Sequence, residues 1–451
     1  TCTDAHLPDA SIGENGYMLE LFSSGVMSVW LDMAGLHRSK LDADKRLSWL
    51  DTPGFVVPAQ PEAATMKNLA QYFKDLANKG PAGGQAVWMQ SGPVLLANKQ
   101  GTTPLPAASL TKIATTLAAL AIWQPSHQFE TLVSATGPIK NGVLQGDLVV
   151  SGRGNPVFLW EEAIALGNAL NRMGIRRVSG NLIVSGNFTM NYAPTLAESG
   201  QLLKQGLNAK TWPRGVSFAH RSMPPGTPKP QLQIAGNVIV APEPTKTQLL
   251  LRHRSLPLAQ ILKIVNVYSD NKLSQQIADL VGGHQVVANK AAAIAGFPRQ
   301  EIQLINGSGL GVENRISPRA ACAMLVAIQR KLQPYGLNIG DVFPVAGSDR
   351  TGTMIHRDIP TATAIKTGTL RDVSALAGVM PTRDRGLVWF TIINRGGDIW
   401  GLRTEQDRFL QKLVQQWGTT PPPITIVPHA SSVNVRSHLG DAKRIEVVFG
   451  G

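Results

Sequence analysis

Apolar positions along this chain recur with two periods. From Ala64 to Lys79, Met66, Leu69, Tyr72, Phe73 and Leu76 fall three and four apart, which predicts an amphipathic helix. Gln85 to Gln90 and Val94 to Ala97 read as two strands around Ser91-Gly92-Pro93, a hairpin signal. An Ala-rich apolar run from Leu110 to Trp123 predicts a buried helix. This order points to an antiparallel sheet flanked by helices, an α+β arrangement within the wider α/β class. From Ser134 to Thr247 the texture changes. Strands over 148–151, 181–185 and 237–241 surround a helix from Glu161 to Met173, and Pro224, Pro225, Pro228, Pro230 and Pro242 punctuate the later part. The pattern predicts an inserted mixed α/β domain.

The host pattern resumes near Leu249. A helix containing Ser269 is expected to run on through Ile277, and a further helix covers 317–332. Arg371 to Asn394 holds two strands, and Gly401 to Trp417 forms a terminal helix with Phe409, Leu410 and Leu413 on one face. Pro421-Pro422-Pro423 opens a tail with a last strand over Ile445 to Phe449. The expected organisation is an N-terminal extension (1–58), a discontinuous host domain (59–133 and 248–420), an insertion (134–247) and a C-terminal tail (421–451).

Length agrees with that division, because 451 residues exceed one ordinary core. The apolar stretch closest to a membrane span, Met18 to Leu36, is broken by Glu20 and Asp32. A start at Thr1 rather than Met fits a secretory protein after signal removal. The two cysteines make no disulfide framework. Cys322 lies in an Ala-rich run and reads as a small buried hydrophobe, and Thr1 ahead of Cys2 argues against a lipid anchor there. A net charge of +13 suits nucleic acid or an anionic envelope surface. Lys and Arg are scattered, with only isolated pairs such as Arg176-Arg177 and Lys443-Arg444, so peripheral envelope association is favoured over nucleic acid.

The candidate chemistry lies in three short motifs. They are Ser109-Leu110-Thr111-Lys112, Ser269-Asp270-Asn271 and Lys366-Thr367-Gly368-Thr369. Singly each has a plain structural explanation: a helix cap, an Asx turn, an edge-strand lysine. Ser269-Asp270-Asn271-Lys272 even repeats the S-x-x-K spacing of the first motif, so order and context carry the signal. A serine hydroxyl needs an adjacent base to attack, and three residues along a helix bring Lys112 within reach of Ser109. The helix start offers free N–H groups to a developing oxyanion, joined by the N–H of Thr369. Lys112 accepts a proton only when neutral, and burial with a neighbouring cation, Lys366, would favour that form. Ser269 can relay a proton to a departing amine, and Asn271 can hold Lys112 and a substrate amide. Gly368 lets substrate approach the strand closely, while Lys366, Thr367 and Thr369 suit a terminal carboxylate.

Other constellations are missing from the sequence. It has no H-E-x-x-H, C-x-x-C, G-K-[ST] or G-x-S-x-G, and its nine histidines are dispersed. Gly152-Arg153-Gly154 lacks the third glycine of a dinucleotide loop. Asn306-Gly307-Ser308-Gly309-Leu310 reads as a tight turn, with Ser308 a lesser candidate.

The three motifs resemble the signature of class A β-lactamases and penicillin-binding proteins. Over roughly residues 60–418 the chain is similar to the class C low-molecular-mass penicillin-binding proteins, the D-Ala-D-Ala carboxypeptidase/endopeptidase type with an insertion after the first motif. Pro106-Ala107-Ala108-Ser109, Gly146-Asp147-Leu148, Gly180-Asn181-Leu182-Ile183, Leu262-Lys263-Ile264, Asn306 to Leu310 and Pro344-Val345-Ala346-Gly347 carry this likeness. The resemblance implies a β-lactamase/transpeptidase-like fold and a serine enzyme that hydrolyses D-Ala-D-Ala bonds of peptidoglycan stem peptides. It further implies cleavage of cross-links, acylation by β-lactams, no cofactor or metal, and an extracytoplasmic place in the periplasm or cell envelope. There are departures. The family's Asp-Gly-Ser-Gly-Leu-Ser turn has Asn306 and Gly311 at its ends here, the insertion looks short, and no acid between Ser185 and Trp212 is assigned to the stem side-chain amine.

Two other functions compete. A β-lactamase would need a deacylating glutamate, and no E-x-x-L-N stands between the second and third motifs, since Glu301 and Glu313 do not fit. A non-catalytic peptidoglycan-binding protein with a relic site would not need Ser109, Lys112, Ser269, Asn271 and Lys366 intact.

Overall fold

The structure is a computed structural model that describes residues 61–423 and 426–449. The expected extension over 1–58, with Cys2 and Met18 to Leu36, lies outside the described residues. The main elements begin with α1 (Ala63–Asp75), the hairpin β1 (Gln85–Ser91) and β2 (Val94–Lys99), and the buried helix α2 (Thr111–Leu120). Next come β3 (Glu130–Ala135), β4 (Leu148–Arg153), α3 (Trp160–Arg172), β5 (Leu182–Asn187), α4 (Leu196–Gly206), α5 (Arg214–Ser222) and β6 (Val238–Val240). β7 (Gln248–Arg254) leads to α6 (Leu258–Tyr268), α7 (Asn271–Val281), α8 (His284–Ala295) and α9 (Pro318–Leu332). Finally come β8 (Ala364–Leu370), β9 (Val373–Thr382), β10 (Gly386–Arg395), α10 (Ile399–Trp417) and β11 (Ile445–Val447). No helix among the described residues is long and apolar enough to cross a membrane.

Strand periodicity explains the first sheet, a five-stranded antiparallel array in the order β8-β9-β10-β1-β2. Val388, Phe390 and Ile392 of β10 point to one face and pack with Leu69 of α1, Leu76 at its C-cap, and Leu410 and Trp417 of α10. Thr391 points to the other face, where its Oγ1 lies 3.2 Å from Sγ of Cys322 on α9. Helices therefore cover both faces, and Cys322 is a buried free thiol. β8, which carries the third motif, is left at the sheet's edge with one row of backbone groups outside the ladder.

The second sheet has six strands in the order β6-β5-β4-β3-β7-β11. β4, β5 and β6 run parallel, with α3 crossing from β4 to β5 and α4 and α5 lying between β5 and β6. Leu148, Val150, Leu182 and Val184 of the strands bury against Leu166 and Leu170 of α3 and Leu203 of α4. This sheet reaches past 134–247. The chain enters and leaves the insertion as paired strands, with Thr131 opposite His253, because two adjacent buried backbones satisfy each other's polar groups. The tail adds the outer strand, with Ile445 opposite His253.

A buried ionic cluster holds the tail there. Glu162 of α3 accepts from His253 Nε2 at 2.7 Å and from Arg444 Nη2 at 2.6 Å. Burial alone would raise its carboxyl, but Arg444 and His253 outweigh that and hold it at about 2, against an ordinary 4.5. A group depressed on folding stabilises above its unfolded value and loses that contribution as pH falls through its folded one. Urea unfolding is expected to show about 3 kcal/mol lost between pH 4.5 and 2. Arg444→Ala should flatten that dependence, and an unchanged slope would contradict the assignment.

Candidate active site

The first motif sits on a strained turn. Ser109 occupies a 3-10 turn, Ala108–Leu110, that runs straight into α2. Ala108 just before it has φ +49°, a left-handed conformation that a residue with a Cβ adopts only under constraint. The constraint comes from two sides. A Cβ on Gly309 (φ +90°) would lie 1.9 Å from the Ala108 carbonyl oxygen. A Cβ on Gly368 would lie 2.9 Å from the Ala107 oxygen and 3.1 Å from the Ser109 nitrogen. Gly368 therefore admits the nucleophile's own turn against β8, and this close approach differs from the substrate approach expected from sequence. It also brings the backbone of Thr367 to Thr369 alongside the Ser109 amide.

Lys112 is the second residue of the buried helix, one turn after Ser109, and is fully buried. Its Nζ donates to Asn271 Oδ1 at 2.7 Å and to the Ser308 carbonyl at 2.6 Å, and stands 3.0 Å from Ser109 Oγ. Burial pushes this amine down to about 7, with the nearby Asp270 charge working in the opposite direction. The expected help from Lys366 is not among the causes. Repulsion between the two lysines instead acts on Lys366, which burial first and Lys112 second push well below the ordinary lysine value.

The second motif departs from its expected local structure. No single helix runs through Ser269. α6 ends at Tyr268, Ser269 takes the left-handed conformation (φ +53°), and α7 begins at Asn271. Asp270 caps α7, its Oδ1 accepting from Leu273 N at 3.0 Å. The break turns Ser269 Oγ toward Lys366 Nζ, 3.0 Å away, while Asn271 in the first turn of α7 faces Lys112. Cap and site thus coexist on adjacent residues.

All three motifs meet around Ser109 and Lys112. Lys366 is fully buried and also donates to the Thr367 carbonyl at 2.9 Å. Thr367 Oγ1 donates to Thr353 Oγ1 at 2.7 Å, and exposed Thr369 accepts from Arg403 Nη2 at 2.7 Å. Asn306 keeps the glycine turn in shape without an aspartate. Its Oδ1 accepts from Ser308 N at 3.1 Å and Gly309 N at 2.8 Å. Ser308 itself contributes a backbone carbonyl to Lys112, while its hydroxyl donates to Asn306.

Sequence reasoning left out Tyr192, Thr353 and Arg403. Tyr192 comes from the insertion and donates to Asp270 Oδ2 at 3.2 Å, and burial pushes its phenol above the ordinary tyrosine value. None of the three belongs to a motif, and only the folded chain brings them here. A cleft of about 820 Å³ opens beside Asn271 and Ser308. One wall is α7, with Lys272, Gln275 and Asp279, and the other is the insertion, with Asn155, Asn187 and Tyr192. Among the described residues no three His, Cys, Asp or Glu side chains gather as a metal site.

A serine on a strained turn, a buried amine of lowered basicity and an edge strand packed on the serine's turn are the parts of a serine acyl-transfer enzyme that works without histidine. The chain belongs to the D-Ala-D-Ala carboxypeptidase 3 (S13) family, which matches residues 65–194 and 229–417. It is thus a serine-type D-Ala-D-Ala carboxypeptidase. It is 24% identical to the D-alanyl-D-alanine carboxypeptidase DacB of Haemophilus influenzae, with 76% of this chain and 91% of that protein covered. Its fold is that of the penicillin G-acylated Bd3459 predatory endopeptidase from Bdellovibrio bacteriovorus, at TM-score 0.65 and 20% identity, with 77% and 97% covered. Penicillin-binding protein 4 of Haemophilus influenzae also shares it, at TM-score 0.58 and 18% identity, with 76% and 99% covered.

Proposed function

We propose that the chain cleaves the terminal D-Ala-D-Ala bond of peptidoglycan stem peptides through an acyl-enzyme on Ser109. The observation that carries this reading is the state of Lys112. With two N–H groups committed to Asn271 and Ser308, the neutral amine has its lone pair left for the Ser109 hydroxyl. Lys112 takes the proton as Oγ bonds to the scissile carbonyl carbon. The N–H groups of Ser109 and Thr369 receive the oxyanion. The C–N bond then breaks as Ser269, backed by Lys366, passes its proton to the leaving amine and takes back the one that Lys112 collected, which leaves Lys112 neutral again. Water, deprotonated by Lys112, adds to the ester carbonyl, Lys112 returns that proton to Oγ as the ester C–O bond breaks, and the hydrolysed stem leaves.

In this reading the stem lies in the 820 Å³ cleft, where Asn155, Asn187, Gln275 and Asn306 suit peptide amides. The enzyme works outside the cytoplasm, where its substrate is, and its +13 charge favours peripheral contact with the anionic envelope over nucleic acid. The test is incubation with a pentapeptide ending in D-Ala-D-Ala and, separately, with a cross-linked stem dimer. Free D-Ala from the first is the expected result, and monomers from the second would add endopeptidase action. No product from either would overturn the proposal.

A further inference from the structure

The tail from 426 onward lies outside the residues that match the family, yet it packs on α6, the helix that delivers Ser269. It is fastened at both ends. His429 donates its backbone N–H to Asp341 Oδ1 at 2.8 Å, and its Nδ1 lies 2.9 Å from Oδ2 of the same buried carboxylate. At the other end Gly440 N donates to Glu162 Oε1 at 3.2 Å, beside the Arg444 contact. In between, Gln260 of α6 donates from Nε2 to the Ser431 carbonyl at 3.0 Å, and Val435 and Leu439 are buried. Arg436 stands in the middle of this strap, on a 3-10 turn (Val435–His438), and its guanidinium carbon lies 4.0 Å from the ring centroid of Tyr268. That is a cation–π contact. Among the described residues the guanidinium has no hydrogen-bond or ion-pair partner, so its pairing is with the ring.

Tyr268 immediately precedes Ser269, whose φ of +53° is a conformation that a residue with a Cβ keeps only where its surroundings fix it. After Ser269, Asp270 is fixed by Leu273 N and the Tyr192 hydroxyl. Before it, the side chain that can be fixed is Tyr268, with its ring under Arg436 and its hydroxyl 3.4 Å from Thr351 Oγ1. We infer that Arg436 is a positioning residue: the tail holds its guanidinium on Tyr268, and this keeps Ser269 in the turn from which it passes its proton to the leaving amine. The inference rests on the acyl-enzyme reading above and, within it, on the relay through Ser269. Without the contact, more turn conformations open to Ser269, and its Oγ spends less time 3.0 Å from Lys366 Nζ. The relay matters only where the leaving group must gain a proton. An amide nitrogen must, whereas a thiolate departs without one.

The experiment compares kcat/KM for a pentapeptide ending in D-Ala-D-Ala and for its thioester analogue, in which sulfur replaces the nitrogen of the terminal bond. It uses wild type, Arg436→Ala, Arg436→Lys and Ser269→Ala. Both substrates give the same acyl-enzyme, and kcat/KM reports the steps up to it, so the amide-to-thioester ratio removes general effects on folding or on the nucleophile. Ser269→Ala sets the full loss of that ratio. Arg436→Ala is expected to lower it by about 3- to 10-fold, the size of a cation–π contact, and Arg436→Lys, which keeps a cation for the ring, to fall between Arg436→Ala and wild type. Equal slowing with both substrates, an unchanged ratio, or an Arg436→Lys ratio no better than that of Arg436→Ala would overturn the inference and leave Arg436 as a fastening of the tail. A wild-type ratio in Ser269→Ala would overturn the relay and this inference with it, while acylation of Ser109 stood. No product from wild type with either substrate would overturn the acyl-enzyme reading itself.

Discussion

Ser109→Ala is expected to abolish the benzylpenicillin adduct that wild type forms and to reduce D-Ala release by at least about 10⁴-fold. The size follows from the chemistry: no other hydroxyl among the described residues lies on the Lys112 amine, so nothing takes over the attack. The fold should survive the change. The Ser109 hydroxyl makes its one hydrogen bond to Lys112, and the turn is held by Leu110 N to the Ala107 carbonyl and by the packing of Gly309 and Gly368. Thermal unfolding that matches wild type, together with loss of the adduct, assigns the nucleophile. The time course of the wild-type adduct carries a second result. In the penicilloyl ester the ring nitrogen stays tethered after its C–N bond breaks and blocks the water that Lys112 would activate, and no side-chain carboxylate among the described residues hydrogen-bonds Ser109 or Lys112 to activate water from another side. The adduct should persist. Rapid decay with loss of drug would mark a β-lactamase, and an adduct on Ser109→Ala would place the nucleophile elsewhere.

What the sequence makes legible here is local, and what it hides is long-range. Ser109 and Lys112 are visible because helix spacing alone brings them together, and Lys366 to Thr369 because they lie between strand-like runs. The left-handed turn at Ser269 is not legible, since Ile261 to Ile277 has no Gly or Pro to mark a break; tertiary packing imposes it. The reach of the second sheet is hidden for a similar reason. β3, β7 and β11 are short segments from three distant parts of the chain, and their pairing, not their composition, makes them one sheet. Arg403 looks from sequence like a polar residue of an ordinary amphipathic helix. Its meaning depends on where the N-terminal turns of α10 come to rest against the edge of β8. The Asn306 departure from the family turn proves neutral, because the turn uses an acceptor oxygen and an amide supplies one as well as a carboxylate does.

Lys112→Arg is expected to slow acylation by about 10² to 10⁴-fold, because a guanidinium keeps its proton and cannot act as base. In wild type the active form is the neutral amine, whose value is about 7. The acylation rate should therefore fall about tenfold per pH unit below 7 and level off above it. A rate that stays flat through neutrality would rule out Lys112 as the titrating base. The same burial has a thermodynamic consequence of opposite sense. Between 7 and the ordinary 10.5 the unfolded chain binds a proton that the folded chain has released, so this group makes stability rise with pH across that window. The slope is about 1.4 kcal/mol per pH unit, and the penalty is full below 7 and gone above 10.5. Lys112→Met removes the titration. Its stability relative to wild type, from urea unfolding, should be most favourable at pH 7 and decline as pH rises. A gap that does not change with pH would mean that the amine is not held neutral by burial, and the proton-acceptor role would lose its physical basis.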